Sequence, residues 1–293
     1  MASVTANGIT IEYEEQGTGD PLLLVMGLGG QLCDWPDELV DLIAARGFRV
    51  LRHDNRDTGL STEFPGRAPG NWQIARAVVS RRSMSAPYRL SDMAADAAGL
   101  LDALGIGRAH VVGVSMGGMI AQTLAIEHPG RVSSLTSIMS TTGNRRVGQP
   151  TARIVGKFVR RKPVTRAGAV DEAIEVFREI SGPTFDEAEV RALAQRSIDR
   201  SFRPAGVGRQ AAAIMASPDR TAELTRLDVP TLVVHGLLDP LVRPSGGIAT
   251  ARAVPGSQLL MFNDMAHDLP RTRWVELADA IAAVARRSGR VAA

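Results

Sequence analysis

The sequence predicts an α/β fold: a mostly parallel central sheet with helices on both faces and a helical segment inserted late in the chain. Three observations predict it. Short, continuous apolar runs alternate with helical stretches, the mark of strands buried on both faces of a parallel sheet. A Gly-Val-Ser-Met-Gly turn at 113–117 joins one such run to a helix. The alternation then fails between about 142 and 226, where helical patterns broken by Pro and Gly contain no convincing strand.

Taken in order, Asn7-Gly8 between Ser3-Val4-Thr5 and Ile9–Tyr13 is a hairpin signal. Leu22-Leu23-Leu24-Val25 is the first continuous strand, and others follow near 49–54, 109–114, 132–139, 230–236 and 257–262. Helices over about 36–46, 91–104, 117–128, 245–253 and 272–287 separate them, as right-handed crossovers require. Residues 1–141 and 227–293 are therefore expected to form the core, and 142–226 a helical lid that excludes water and shapes substrate choice. The lid opens with eight basic residues and no acid from Arg145 to Arg166. Within Thr151–Lys162, Ile154, Val155, Phe158 and Val159 repeat at helical spacing against Arg153, Lys157, Arg160 and Arg161. Two readings fit: a lid helix with its charges in water, or a basic face that meets an anionic membrane surface or an acidic ligand. A second insertion, about 62–89, carries Arg67, Arg76, Arg81, Arg82 and Arg89 and is placed at the same mouth.

Composition narrows the function classes. The chain has 293 residues, 44% of them hydrophobic, and a net charge of +3. No dense Lys/Arg tail points to nucleic acid as a partner. The single cysteine, Cys33, permits no intrachain disulfide and fits a reducing compartment. With no leader pattern and no apolar run near the roughly 20 residues of a membrane span, the expectation is a cytoplasmic protein. His and carboxylates nowhere fall at metal-ligand spacing, and Gly27-Leu28-Gly29-Gly30 lacks the later glycine of a phosphate fingerprint. The expectation is no metal and no cofactor.

The chemistry is expected at Ser115. A strand, a sharp turn and a helix would hold its hydroxyl above the sheet, at a helix N-terminus that favours negative charge. A serine nucleophile needs a base and an orienting acid. Of the five histidines, His110 lies inside a strand, His128 at a helix end, and His53 and His235 in apolar runs. His267 alone follows the last strand through a short loop. Asp239, after the preceding strand, is the best acid; Asp264 and Asp268 are weaker rivals, too close in sequence to His267 to reach round its ring easily.

These residues resemble the α/β-hydrolase superfamily over nearly the whole chain. Pro21–Gly30 is similar to its strand and oxyanion loop. Arg52–Ser61 is similar to its Asp-x-Arg-Gly-x-Gly-x-Ser loop, with Asp57 where glycine is usual. Leu-Val-Met-Gly, Trp-Pro-Asp-Glu, the Arg-Asp-Thr-Gly loop and Gly-x-Ser-Met-Gly are most similar to the aclacinomycin methylesterase type and related small carboxylesterases. The usual His-Gly is Met26-Gly27 here, so the resemblance implies an oxyanion hole of backbone N–H groups, from Leu28 and Met116. It implies a small-molecule ester substrate. Gly27, Trp35, Met139 and Met265 lie in or beside the expected site loops and strands and are the expected contact residues. The bland alternatives are core filling for the methionines and helix anchoring for Trp35. Perhydrolases, haloperoxidases and carbon–carbon bond hydrolases share such a triad, and a non-catalytic ligand carrier keeps the same scaffold.

Overall fold

The computed structural model describes residues 1–80, 82–162 and 164–289. Arg81, one of the basic residues of the 62–89 segment, lies outside the described residues. The chain opens with β1 (Ala2–Ala6) and β2 (Ile9–Gln16), then β3 (Asp20–Val25), α1 (Asp37–Ala44), β4 (Phe48–His53), α2 (Asn71–Ser80) and α3 (Leu90–Ala103). It continues through β5 (Ala109–Val114), α4 (Met116–Glu127) and β6 (Val132–Ile138). Helices α5 (Ala152–Arg160), α6 (Ala169–Ile180), α7 (Glu187–Arg200), α8 (Pro204–Ala216) and α9 (Thr221–Leu224) come next. β7 (Thr231–Gly236), α10 (Ser245–Ala253), β8 (Gln258–Phe262) and α11 (Trp274–Arg286) close it. No described helix is long and apolar enough to cross a membrane.

The eight strands form one sheet in the order β1-β2-β4-β3-β5-β6-β7-β8. β1 and β2 pair antiparallel through a turn in which Asn7 and Gly8 both have positive φ, 51° and 75°, as a type I′ turn demands. From β4 to β8 every pairing is parallel. The period of two along each strand splits the core into two apolar layers. Leu23, Val25, Leu51 and Val111 face α3 and α4; Leu22, Leu24, Val50 and Val112 face α1 and α11. The chain runs outward from β3 to β4, then crosses back to β5 on the other side. That reversal opens a crevice at the carboxyl ends of β3 and β5, where open α/β sheets bind ligands.

Between β6 and β7 the described residues contain helices and no strand. This helical segment is tied to the core by polar side chains rather than by an apolar face alone. Asp57 stands in the left-handed region, at φ 69°, a conformation that favours glycine. Its carboxylate takes Arg209 of α8 bidentately, Nε to Oδ2 at 2.9 Å and Nη2 to Oδ1 at 2.7 Å. It also accepts the Tyr88 hydroxyl at 2.5 Å and the Phe64 N–H at 2.8 Å. Asp54, fully buried, accepts the N–H groups of Leu32 and Leu60 and pairs with Arg200 Nη1 of α7 at 2.8 Å. Gln31 donates to Ser197 and Ser201.

The basic run is less free than it looks in sequence. Arg153 and Lys157 both pair with Glu179 of α6, and Arg161 pairs with Glu172 of the same helix. Arg145 and Arg166 donate to backbone carbonyls. Five of the eight cations are thus engaged by neighbouring elements.

Candidate active site

Backbone sterics build the centre. β5 runs into α4 through Ser115, whose φ of 54° and ψ of −117° lie in a sparsely populated region for a side-chain-bearing residue. Such strain costs about 1–3 kcal/mol and persists only where the surroundings over-determine it. Here they do. A Cβ on Gly113 would overlap the Gly117 carbonyl, and one on Gly117 would overlap the carbonyl of Val25. The Ser115 N–H is held by Ile138 O at 2.9 Å, and Ser140 Oγ donates to Ser115 O at 2.8 Å. Ser115 occupies the N-cap position of α4 yet caps nothing with its side chain.

Its hydroxyl faces His267 instead. His267 Nε2 lies 2.9 Å from Ser115 Oγ, and Nδ1 lies 2.7 Å from Asp239 Oδ2. His267 follows β8, and its own N–H is held by Ile180 O at the end of α6. Asp239 follows β7; its other oxygen, Oδ1, accepts the N–H groups of Leu241 and Val242 at 2.9 and 2.8 Å. Burial alone pushes the Asp239 carboxyl up, but His267 and then His235 beside it outweigh that and bring it down to about 2. An ionised Asp239 only accepts, so neutral His267 carries its proton on Nδ1 and leaves Nε2 to accept from Ser115. The rival carboxylates are engaged elsewhere: Asp264 with Arg273, Asp268 with the N–H groups of Ala266 and Gly182.

The loop after β3 comes up against the same point. A Cβ on Gly27 would lie 3.3 Å from Ser115 Cβ and 3.9 Å from its Oγ. Gly30 N–H donates to Gly27 O at 3.2 Å, and Gly29, at φ 73°, is the left-handed third residue of that tight turn. Leu28 sits at the second position with a half-exposed side chain. Met116 is the first residue of α4, where a helix leaves its N–H groups unused. Among the described residues, no partner takes up the N–H of Leu28 or of Met116.

Trp35, expected to contact substrate or to anchor its helix, has no exposed surface. It packs in the layer with Leu39, Val40 and Ile43 of α1. Met139 and Met265 are buried in that same layer with Met26, the core-filling alternative. Sequence reasoning passed over His235, whose Nε2 donates to Val242 O at 2.7 Å and lies 3.5 Å from Asp239 Oδ2. The only signal available was a histidine four residues before the acid.

Residues 20–270 match the family model described as alpha/beta hydrolase fold. The chain belongs to that family. Two rhodomycin D methylesterases, DauP of Streptomyces sp. (strain C5) and DnrP of Streptomyces peucetius, are each 29% identical to this alpha/beta hydrolase over 97% of both chains. A 2-hydroxy-6-oxononadienedioate/2-hydroxy-6-oxononatrienedioate hydrolase of Burkholderia vietnamiensis is 29% identical over 88% of this chain and 85% of its own. Among solved structures, a thermophilic esterase from Thermogutta terrifontis superposes with a TM-score of 0.74 at 27% identity, covering 98% of this chain and 99% of that one.

Proposed function

We propose that this alpha/beta hydrolase is a serine carboxylesterase that cleaves methyl esters or medium-sized apolar esters through an acyl-enzyme. The observation that carries the reading is the unbroken chain Ser115 Oγ, His267 Nε2, His267 Nδ1, Asp239 Oδ2, with links of 2.9 and 2.7 Å. The hydroxyl attacks the ester carbonyl as His267 takes its proton at Nε2. Asp239 holds the tautomer and stabilises the imidazolium that forms. The N–H groups of Leu28 and Met116 receive the oxyanion, with the α4 dipole behind Met116. His267 then protonates the leaving alcohol, and water resolves the acyl-enzyme by the same route. The helical segment 142–226 acts as the lid over this reaction, because Ile180 binds the His267 backbone and α8 lies against Gly29. The methylesterase relatives support an ester with a small alcohol. The one half-buried thiol, Cys33, is compatible with a reducing, cytoplasmic setting.

The test is turnover across p-nitrophenyl esters of graded acyl length, beside methyl esters of bulky polycyclic acids and a vinylogous 1,5-diketone. Ester hydrolysis that vanishes in Ser115→Ala is expected. Turnover of the diketone alone would move the reading to carbon–carbon cleavage. Tight ligand binding without turnover would move it to a carrier.

A further inference from the structure

Gln210 is a fully buried polar side chain in the alanine-rich middle of α8. The hydrogen bonds of its side chain lead to loops at the catalytic end of the sheet. Oε1 accepts the Gly29 N–H at 2.8 Å; Nε2 donates to Arg56 O at 2.8 Å and to Thr58 Oγ1 at 2.6 Å. The helix that carries it is fixed in the turn that leads to Gln210. Arg209 makes the bidentate pair with Asp57, and Gly206 approaches the Asp57 carbonyl so closely that a Cβ would overlap it. One turn earlier, Val207 packs over Gly29, where a Cβ would sit 3.0 Å from Val207 Cγ2.

The bond to Gly29 bears directly on the Gly27–Gly30 turn. Turns of types I and II share their ends and differ by a flip of the middle peptide, here Leu28–Gly29. That peptide carries the Gly29 N–H. While the N–H points at Gln210 Oε1, the flip would break this bond and leave a fully buried side-chain acceptor without its partner. The same bond consumes the Gly29 N–H, and Gly27 O holds the Gly30 N–H, so of these last three residues of the turn Leu28 is the one whose N–H is left to offer an oxyanion.

We propose that Gln210 is a positioning residue: by holding the Gly29 N–H from α8, it fixes the turn that aims the Leu28 N–H at the reacting carbonyl oxygen. The proposal rests on the serine esterase reading above. It makes the helical segment part of the rate machinery as well as a cover. Binding of the neutral ester needs no such donor; the developing oxyanion does.

The experiment compares wild type, Gln210→Met and Gln210→Glu; burial favours the neutral carboxyl in the last, which keeps an acceptor for Gly29 and a hydroxyl donor for Arg56 O. Each is assayed for kcat and KM on p-nitrophenyl butyrate, and for affinity toward a trifluoromethyl ketone that forms a tetrahedral adduct on the serine. Removing one oxyanion donor costs about 100- to 1,000-fold in kcat, so misaiming one predicts a loss of about 10- to 100-fold in Gln210→Met. KM should stay within about 3-fold, and ketone affinity should fall by the same factor as kcat. Gln210→Glu should recover most of the loss. The proposal is overturned if kcat of Gln210→Met stays within about 3-fold of wild type, if the loss leaves ketone affinity unchanged, or if Gln210→Glu is as poor as Gln210→Met. Should Gln210→Met not fold, Gln210→Leu carries the same readouts. Wild type that hydrolyses no ester and takes no phosphonate at Ser115 would sink the esterase reading itself. A hydrolysing wild type with an indifferent Gln210→Met sinks only the role of Gln210.

Discussion

Replacing Asp57 with glycine supplies the residue that its left-handed backbone favours, and it should nevertheless destabilise this protein. Glycine suits the left-handed conformation at position 57, φ 69°, and relieving that strain returns about 1 kcal/mol. Against this, Arg209 is 2% exposed and would lose both bonds of its bidentate pair. Removing one partner of a buried ion pair costs about 3–5 kcal/mol. The second carboxylate near Arg209, Glu63 at 3.4 Å, is half exposed and recovers little. The net is a loss of about 2–4 kcal/mol, or a fall in Tm of roughly 3–7 °C for a chain of this size. Calorimetry and urea unfolding read it. Arg209→Met in the Asp57→Gly background removes the stranded charge and should recover much of the loss, apart from the unpaired Tyr88 hydroxyl and Phe64 N–H, each worth about 1 kcal/mol. The two substitutions must therefore be strongly non-additive. An Asp57→Gly protein as stable as wild type, or a double variant with additive losses, would refute the claim that this pair fastens the helical segment to the core.

Other outcomes follow from the same geometry. Asp239→Asn should keep the fold and lower kcat by about 10⁴-fold, because an amide favours the wrong His267 tautomer; circular dichroism and steady-state kinetics check both halves. Asp239, held down at about 2 in the folded protein against an ordinary 3.8, contributes stability that is present above about pH 4 and lost as pH falls toward 2. Acid titration of unfolding should show wild type converging on Asp239→Asn over that window. Gly117→Ala should abolish turnover and lower Tm, since its Cβ would meet the Val25 carbonyl in backbone that has no room to give; a near-normal variant would contradict the steric account of the elbow. Burial, with Asp34 adding to it, pushes the Cys33 thiol up to about 11, so alkylation at pH 8 should run about 100-fold slower than for an open thiol and speed up on unfolding.

What could be read from the sequence was whatever local backbone chemistry dictates. The Asn7-Gly8 turn and the elbow at Ser115 are governed by φ values and missing Cβ atoms within a few residues, so their spacing carries them. The parallel strands are continuous apolar runs because both faces are covered, as Leu22–Val25 illustrates. The geometry at Ser115, His267 and Asp239 joins residues that the order of strands had singled out. The rest depends on partners far along the chain. Asp57 looked like a departure from a glycine; its meaning lies in Arg209, 152 residues later. The run from Arg145 to Arg166 looked unpaired because Glu172 and Glu179 come from the next helix. Trp35 follows the loop that faces Ser115, yet the entry into α1 turns it into the core. Gln210 gave one faint signal, a polar pair with Arg209 inside an alanine-rich helix, and nothing in the sequence said that it reaches Gly29.

The central claim is that Ser115, activated by His267, is the nucleophile. It is tested most directly by treating the protein with an activated p-nitrophenyl phosphonate and locating the adduct by peptide mass spectrometry. The account predicts one adduct per chain, on Ser115, and none of it in His267→Ala on the same timescale. An adduct on any other residue, or Ser115 labelling that His267→Ala leaves equally fast, would contradict it.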